Sequence, residues 1–238
     1  MNQIIERIYC TGKVEDAQGN VLRHDSSVTY ETGILLYNFV RAVKPVRTLE
    51  IGMAYGLSTL FICQAHRDNG SGCHTAIDPF EEERYQTIGL LNIERAGLRD
   101  VLRFYQAPSE QVLPQLRAQN EQFSFVFIDG NHRFDYALVD FFYIDKLLEV
   151  GGHVAFDDLW IPSVRKVTSF VLKNKPYDLV RPPSPRKTPM WRWGLRIGRR
   201  FLQNPFGRDW ALKLVPENIA LFKKVTVDQK TWMQHRAF

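Results

Sequence analysis

Hydrophobic positions along the chain follow two alternating patterns. Short apolar runs rich in β-branched and aromatic residues predict strands, and longer segments with apolar residues every three or four positions predict helices. The predicted strands cover residues 47–53, 74–78, 101–105, 123–129, 153–157, 177–180 and 219–225. The predicted helices cover residues 32–43, 56–66, 82–96, 110–120, 135–148 and 164–173. Five strand–helix units with short links predict an α/β fold whose doubly wound sheet is mostly parallel, and we expect the last strand to be antiparallel.

The chain has 238 residues, of which 45% are hydrophobic, as is ordinary for one α/β domain. We expect a single domain over 1–238, with an N-terminal extension at 1–26 and an insertion at 182–216. Its three cysteines have the spacing of neither a disulfide framework nor a zinc site. No secretory signal or membrane-spanning run is evident. These features predict a soluble, cytoplasmic protein.

Positive charge is concentrated in one region of the chain. The formal net charge is +5, but segment 186–213 holds eight Lys or Arg and one acid, so it carries +7 and the remainder −2. A mildly acidic body argues against a surface built broadly to bind nucleic acid. The basic segment therefore needs its own explanation.

A glycine-containing turn joins the first predicted sheet strand to the next helix, in the sequence LEIGMAYG at 49–56. Gly52 and Gly56 allow the backbone to turn tightly and approach a ligand, and the helix start supplies free N–H donors. The spacing differs from the G-x-G-x-x-G that seats a dinucleotide pyrophosphate, which disfavours a nicotinamide cofactor. Asp78 ends the following strand, where an acid can accept both ribose hydroxyls of an adenosine or, alternatively, cap a helix.

Three further acids follow the fourth and fifth strands. Because parallel strands end at one edge of a sheet, we expect Asp129, Asp157 and Asp158 to converge beside the glycine turn. Carboxylates this close attract a cation, and oxygen ligands suit Mg²⁺ or Mn²⁺ more than zinc. His132 follows Asp129 by three residues and can serve as a general base, or can be a loop residue that only bonds backbone.

These motifs together resemble a known enzyme family. The stretch 27–173 is similar to class I S-adenosylmethionine (SAM)-dependent methyltransferases, which have a Rossmann-like sheet. More narrowly, LEIGMAYGLSTLFI, AIDPF, APSEQVLPQL, FVFIDGNHRFDYALVDF and LLEVGGHVAFDDL resemble metal-dependent O-methyltransferases of the catechol, caffeoyl-coenzyme A and macrolide-sugar types. The resemblance implies that Glu50, Gly52 and Ser58 lie at the methionine end of SAM, that Asp78 binds the ribose, and that Ser109 lies near the adenine.

The resemblance also assigns roles to the acidic motif. Gly56 and Asp129 complete the expected cofactor site, and Asp129, Asp157 and Asp158 are the expected metal ligands. Macrolide-sugar enzymes have a histidine at the position of His132, which we therefore predict to be catalytic together with Asp129.

The predicted function is transfer of a methyl group from SAM to a hydroxyl of a small molecule that Mg²⁺ or Mn²⁺ orients. We expect a homodimer that does not bind nucleic acid. Two alternatives remain: a nucleic-acid methyltransferase, suggested by the basic segment, and a non-catalytic SAM-binding protein. The first lacks the Asn-Pro-Pro-Tyr-like signature of base methylation after the fourth strand, and intact acids with His132 speak against the second.

Residues 190–202, MWRWGLRIGRRFL, predict a basic amphipathic helix. The arginines expected on one side are Arg192, Arg196, Arg199 and Arg200. The apolar residues expected on the other are Met190, Trp193, Ile197 and Phe201. The helix can pack on the domain or on a dimer mate, cover the acceptor cavity as a lid, or bind a membrane surface through 186–207. Its position between the last two strands favours a lid or an interface over a membrane.

Overall fold

The structure of the chain is a computed structural model that describes residues 1–24, 28–181, 190–203, 210–213, 215 and 218–238. The nine helices of this part are α1 Gln3–Thr11, α2 Tyr30–Val43, α3 Leu57–Asn69, α4 Ile88–Arg95, α5 Ser109–Ala118, α6 Phe134–Leu147, α7 Pro162–Asn174, α8 Met190–Gln203 and α9 Trp210–Lys213. The nine strands of the described residues are β1 Lys13–Glu15, β2 Val21–Arg23, β3 Arg47–Ile51, β4 Cys73–Ile77, β5 Leu102–Tyr105, β6 Phe123–Ile128, β7 Leu148–Phe156, β8 Tyr177–Val180 and β9 Ala220–Lys224. Residues 182–189, with which the expected insertion begins, lie outside the described residues.

Seven strands form one sheet in the order β5-β4-β3-β6-β7-β9-β8. The pairs from β5 to β7 are all parallel, whereas β9 lies antiparallel to both β7 and β8. This confirms the predicted doubly wound sheet with an antiparallel last strand. The strand order reverses between β3 and β6, so the carboxyl ends of these two strands border the crevice in which α/β sheets bind ligands.

Apolar side chains cover both faces of the sheet, because the residues of a strand alternate between faces. On β6, Phe125 and Phe127 belong to the core beneath α2 and α3, whereas Val126 and Ile128 belong to the core beneath α5, α6 and α7, together with Phe123, which precedes the register irregularity of this strand. All five are buried. Burial on both faces explains why this strand is an almost continuous apolar run in the sequence.

Three parts of the fold differ from the sequence prediction. The N-terminal extension is ordered into α1 and an antiparallel β1–β2 hairpin. Helix α4 begins at Ile88 and not at residue 82, because residues 79–87 form consecutive turns. Strand β7 follows α6 directly from Leu148 and continues through the expected Gly151–Gly152 turn, with a register irregularity opposite Phe123 and Phe125.

Helix α8 forms where the amphipathic pattern predicted it, but one arginine faces inward. Arg200 is 3% exposed and donates hydrogen bonds to the backbone carbonyls of Leu212, Lys213 and Val215. Arg200 is thus buried, unlike the exposed Arg196 and Arg199, because these carbonyls around the end of α9 provide acceptors for its guanidinium. No helix in the described part of the chain combines the length and hydrophobicity needed to cross a membrane.

Candidate cofactor and metal site

The glycine turn after β3 packs directly against the backbone that follows β6. The Gly52 N–H donates to the Ile77 carbonyl and the Asp129 N–H donates to the Ile51 carbonyl, each at 2.9 Å. Gly52 has φ +88°, and a Cβ at this position would lie 2.3 Å from the carbonyl oxygen of Asp129. Only glycine fits, because both the left-handed backbone and the close approach exclude a side chain.

Asp78 holds this turn in place from the end of β4. Its Oδ2 accepts hydrogen bonds from the backbone N–H groups of Met53 and Ala54, and its Oδ1 accepts one from Phe80, each at 2.8 Å. The side chain is buried in this arrangement. Asp78 therefore shapes the cofactor loop directly, and its contact with a ribose stays a prediction.

Glu50 lies on the face of β3 that packs against α3. Its Oε2 accepts a hydrogen bond of 2.5 Å from Thr59 and lies 3.1 Å from Nε2 of His74. The side chain is fully buried, and Oε1 has no hydrogen-bond partner among the described residues. Glu50 is thus beneath the start of α3 and does not line the cavity described next, so its predicted contact with the methionine end of SAM is untested.

A cavity of about 460 Å³ opens at the carboxyl ends of β3, β6 and β7. This volume suits a small-molecule ligand. Six predicted site residues line it, namely Gly52, Ser58, Asp129, His132, Asp157 and Asp158. Gly56 does not line it, although its neighbours Tyr55 and Leu57 do. Asp78 and Ser109 are also not on its wall.

Ser109 begins α5 and is directed toward α6. Its hydroxyl donates a 2.6 Å hydrogen bond to Oδ1 of Asp140, a buried acid of α6. Burial raises the pKa of Asp140 to about 6, although this hydrogen bond opposes the shift. The bond joins two helices, and the predicted contact of Ser109 with adenine is untested.

An imidazole and two carboxylates meet on the cavity wall. Nε2 of His132 lies 3.4 Å from Oδ1 of Asp129 and 3.1 Å from Oδ2 of Asp158. Among the described residues, these three side chains can offer ligand atoms that all lie within 4.8 Å of one another. Asp157 lines the same cavity but lies outside that set, and its Oδ1 accepts the Asp158 N–H at 2.8 Å. The structure thus brings together two of the three predicted metal ligands and adds His132.

The pKa values in this cluster reflect burial and mutual charge. Burial raises the pKa of Asp129 and Asp157, and the neighbouring carboxylates raise them further. The carboxylates of Asp129 and Asp158, which lie close to Nε2 of His132, raise the pKa of this imidazole to about 10. The imidazole lies between two carboxylates, a position to which a cation would be attracted.

Asp158 is fixed by two residues that the sequence analysis missed. It has φ +56°, and its Oδ1 accepts hydrogen bonds from Nε1 of Trp160 at 2.8 Å and from Nδ2 of Asn218 at 3.0 Å. Burial would raise the pKa of Asp158, but the neighbouring imidazole of His132 and the hydrogen bond from Trp160 lower it. Trp160 could have been suspected because it follows the acid pair closely. Asn218 precedes β9 and has no local signal.

Two tyrosines on the cavity wall were also missed. The rings of Tyr55 and Tyr85 meet edge to face with their centroids 5.1 Å apart, and Arg84 lines the cavity beside them. Tyr55 belongs to the glycine turn and Tyr85 to the turns before α4. Aromatic residues inside a glycine motif were the available signal, but their pairing required the fold of residues 79–87.

The donors at this site fit a hard divalent cation. Asp129, Asp157 and Asp158 offer carboxylate oxygens and His132 offers a nitrogen, which is a set that Mg²⁺ or Mn²⁺ accepts and that lacks the thiolates favoured by soft metals. These donors lie on one cavity wall, where burial and the neighbouring carboxylates raise the pKa values of Asp129 and Asp157.

Known proteins resemble the chain in sequence and in structure. Residues 49–159 match the family described as a methyltransferase domain. A caffeoyl-CoA O-methyltransferase of Populus kitakamiensis is 30% identical over 148 residues, which cover 59% of this chain and 58% of that protein. The O-methyltransferase from Bacillus cereus in complex with SAH superposes with a TM-score of 0.61 at 21% identity, covering 76% of this chain and 83% of that one. The SAH-bound methyltransferase of Podospora anserina superposes with a TM-score of 0.66 at 15% identity, covering 95% of this chain and 89% of that one.

These comparisons confirm the resemblance to class I SAM-dependent O-methyltransferases that the sequence motifs predicted. The structural likeness, at low identity, confirms the Rossmann-like methyltransferase fold. The chain spans little more than half the length of the plant relatives that it matches. The matched region nevertheless contains the glycine turn, the acid–histidine cluster of Asp129, His132 and Asp158, and the neighbouring Asp157.

Proposed function

We propose that this chain, whose residues 49–159 match the methyltransferase domain family, is a SAM-dependent O-methyltransferase acting on a hydroxylated small molecule with a bound divalent cation. One observation carries the proposal. The glycine turn that begins at Gly52 and the cluster of Asp129, His132 and Asp158 line one cavity, at the point where the strand order reverses. A cofactor loop and a cation cluster in the same cavity are what metal-assisted methyl transfer requires.

The cofactor half of the site lies around the turn after β3. The start of α3 offers backbone N–H donors and the hydroxyl of Ser58, and Asp78 supports the turn by accepting the N–H groups of Met53 and Ala54. SAM supplies an activated methyl group on a sulfonium, so the protein needs no nucleophile of its own. Its task is to hold the acceptor oxygen in line with that methyl group.

The acceptor half of the site lies at the acid–histidine cluster. Asp129, Asp157 and Asp158 would hold a divalent cation, with His132 either as a further ligand or beside it. Such a cation lowers the proton affinity of a coordinated hydroxyl. Trp160 borders the same space and gives a planar or apolar acceptor a surface to contact.

His132 is proposed to take up the acceptor's proton. The carboxylates that raise the pKa of His132 are also proposed cation ligands. A cation bound to them would take over the compensation of their charge and leave the imidazole able to accept a proton. Asp129 belongs to both halves of the site, because its backbone carbonyl also packs against Gly52.

The proposal is tested with labelled SAM, a panel of catechols, hydroxycinnamoyl thioesters and sugars, and EDTA followed by Mg²⁺ or Mn²⁺. We expect methylated product that EDTA abolishes and Mg²⁺ restores. Asp129→Asn is expected to fold but to lose cation-dependent activity, whereas Asp178→Asn, an exposed acid on β8, is the control and keeps it. Full activity after chelation would refute the metal role.

The role of His132 is tested separately with His132→Ala. We expect a lower kcat with nearly unchanged SAM binding, and partial recovery as the pH rises, because hydroxide then replaces the imidazole as base. Calorimetric titration with SAM separates binding from turnover. A pH profile identical to that of the unmodified protein would exclude His132 as the base.

A further inference from the structure

Helix α8 presents an exposed row of large apolar side chains. Trp191 is 63% exposed, Leu195 66% and Leu202 85%. At 100° per residue these three positions lie within a narrow arc of the helix surface. Such a row in a folded protein marks an interaction surface more often than a chance exposure.

Contacts on the opposite side of α8 fix which face is exposed. Ile197 and Phe201 are half-buried, and the Phe201 ring lies 4.8 Å from Nζ of Lys213 in α9. Arg200 is buried and bonded to backbone carbonyls around the end of α9. The helix therefore cannot turn its exposed apolar row inward without breaking these contacts.

A basic row runs beside the apolar row on the same helix. Arg196 and Arg199 are both exposed, and in the helical projection both lie on the same side of the arc of Trp191, Leu195 and Leu202. The segment 186–213 carries a net charge of +7 while the rest of the chain carries −2. The surface thus combines apolar side chains with the exposed guanidinium groups of Arg196 and Arg199, which calls for an anionic partner.

We propose that α8 docks this chain on a membrane surface rich in anionic phospholipids, with the apolar row inserted among the acyl chains and the arginines at the phosphates. A second copy of the chain fits less well, because a two-fold contact through this face would bring two basic rows together. Nucleic acid fits less well too, because its bases stack on aromatic rings and two of the three exposed apolar residues are leucines.

The docking helix lies next to the cavity. The guanidinium of Arg199 lies 5.6 Å from the ring centroid of Trp160, which lines the cavity. Binding through α8 would therefore hold the cavity near the bilayer. The exposed face of α8 therefore favours a membrane surface over the lid or interface that the position of the segment in the sequence suggested. This inference does not rest on the proposed function.

The test is co-flotation of the full chain with vesicles of phosphatidylcholine alone or of phosphatidylcholine and phosphatidylglycerol in equal amounts. We expect flotation with the anionic vesicles only, weakening as salt is raised. Leu195→Gln with Leu202→Gln is expected to lower the partition coefficient at least about tenfold. Arg196→Gln with Arg199→Gln is expected to lower it about fivefold for each arginine.

Matched controls remove exposed side chains elsewhere. Val46→Gln with Met233→Gln removes two exposed apolar residues, and Arg7→Gln with Arg103→Gln removes two arginines far along the chain from α8. Both control pairs should float like the unmodified chain, and circular dichroism checks that every variant is folded.

Equal binding to both vesicle types, or to neither, would overturn the proposal. So would a dimer, seen by analytical ultracentrifugation, that the Leu195→Gln with Leu202→Gln variant abolishes. Because the readout is vesicle binding, its failure would leave the methyltransferase proposal intact.

Discussion

At the scale of single residues, the geometry of Asp158 depends on side chains that touch no ligand themselves. The side-chain amide of Asn218 donates to Oδ1 of Asp158, and its Oδ1 accepts the backbone N–H of Trp160 at 3.2 Å. The backbone carbonyl of Asn218 accepts the backbone N–H of Leu159 at 2.9 Å. One asparagine thus fixes three consecutive residues at the cavity wall. Partners of this kind orient the groups that bind a metal.

Asn218→Ala is therefore expected to lower divalent-cation affinity about 10- to 100-fold while the protein stays folded. Loss of the amide frees the Asp158 carboxylate to rotate away from Asp129 and His132. Titration calorimetry with Mn²⁺ measures the change. Asn69→Ala removes an amide that bonds Arg41 and the Val40 carbonyl away from the site, and it should leave cation affinity unchanged. Equal cation affinity in the two variants would remove Asn218 from the site.

Glu81 is a second residue whose environment has a measurable consequence. It is fully buried, its Oε1 accepts the Leu90 N–H at 2.9 Å, and its Oε2 has no hydrogen-bond partner among the described residues. Burial raises the pKa of Glu81 to about 7 from an ordinary value of 4.5. The folded state therefore holds a proton that the unfolded state releases between these two pH values.

Because the folded pKa is raised, Glu81 favours the folded state fully below about pH 4.5, and this contribution is lost as the pH rises to about 7. Over this pH range the free energy of unfolding falls by at most about 3 kcal/mol. We expect Glu81→Gln to remove this dependence and to be relatively more stable above pH 7. Urea unfolding at several pH values measures it. The exposed Glu82→Gln variant should retain the original pH dependence, and an unchanged slope in Glu81→Gln would contradict the assignment.

At the scale of elements, the decisive unit is the turn between β3 and α3. The turn is held between the end of β4, through Asp78, and the backbone after β6, through Gly52. Gly56 begins α3 with φ +74°, and a Cβ there would lie 3.0 Å from the Gly89 carbonyl. The two glycines of the motif therefore serve close backbone packing as well as ligand approach.

Gly52→Ala and Gly70→Ala separate these effects. Both glycines have positive φ, but a Cβ at Gly70 meets nothing within 4 Å, whereas at Gly52 it meets a backbone oxygen at 2.3 Å. We expect Gly70→Ala to lower the free energy of unfolding by about 1 kcal/mol through backbone strain alone. Gly52→Ala should lower it by about 3 kcal/mol or more, because steric overlap is added there. Urea unfolding provides both numbers. Similar losses at the two positions would mean that the turn can relax.

At the scale of the whole molecule, the sheet brings segments that are distant in sequence to one cavity. β3, β6 and β7 end at the same edge, so the residues after them share a wall although they lie up to about a hundred positions apart. A ligand that fills this cavity contacts several elements at once and should stabilise the fold as a unit.

We expect SAH, the product that SAM leaves after methyl transfer, to stabilise the protein by about 2.7 kcal/mol at a hundredfold excess over its Kd. For a chain of this size that raises Tm by roughly 5–10 °C.

The Asp78→Asn variant should lose much of this SAH-induced rise in Tm, since a hydrogen bond to a charged group contributes about 1.5–3 kcal/mol. Each shift is referred to the variant's own Tm, because Asp78 also supports the turn. A full SAH shift in Asp78→Asn would show that its carboxylate does not bind the ribose.

The sequence by itself determined the order of strands and helices, the antiparallel last strand, the glycine turn and the acids after β6 and β7. These features follow from local physics, since alternation of apolar residues, turn residues and strand ends can be recognised within a few positions. For the same reason the family resemblance was evident from motifs alone.

Only the tertiary structure decided which side chains meet. It joined Asn218 to Asp158, put His132 rather than Asp157 in the tight cluster, directed Ser109 toward Asp140 and buried Arg200 at α9. Each of these contacts joins separate elements, or depends on how a loop folds after its strand. The direction of a side chain at such a point is set by the packing of both partners, which no local pattern encodes.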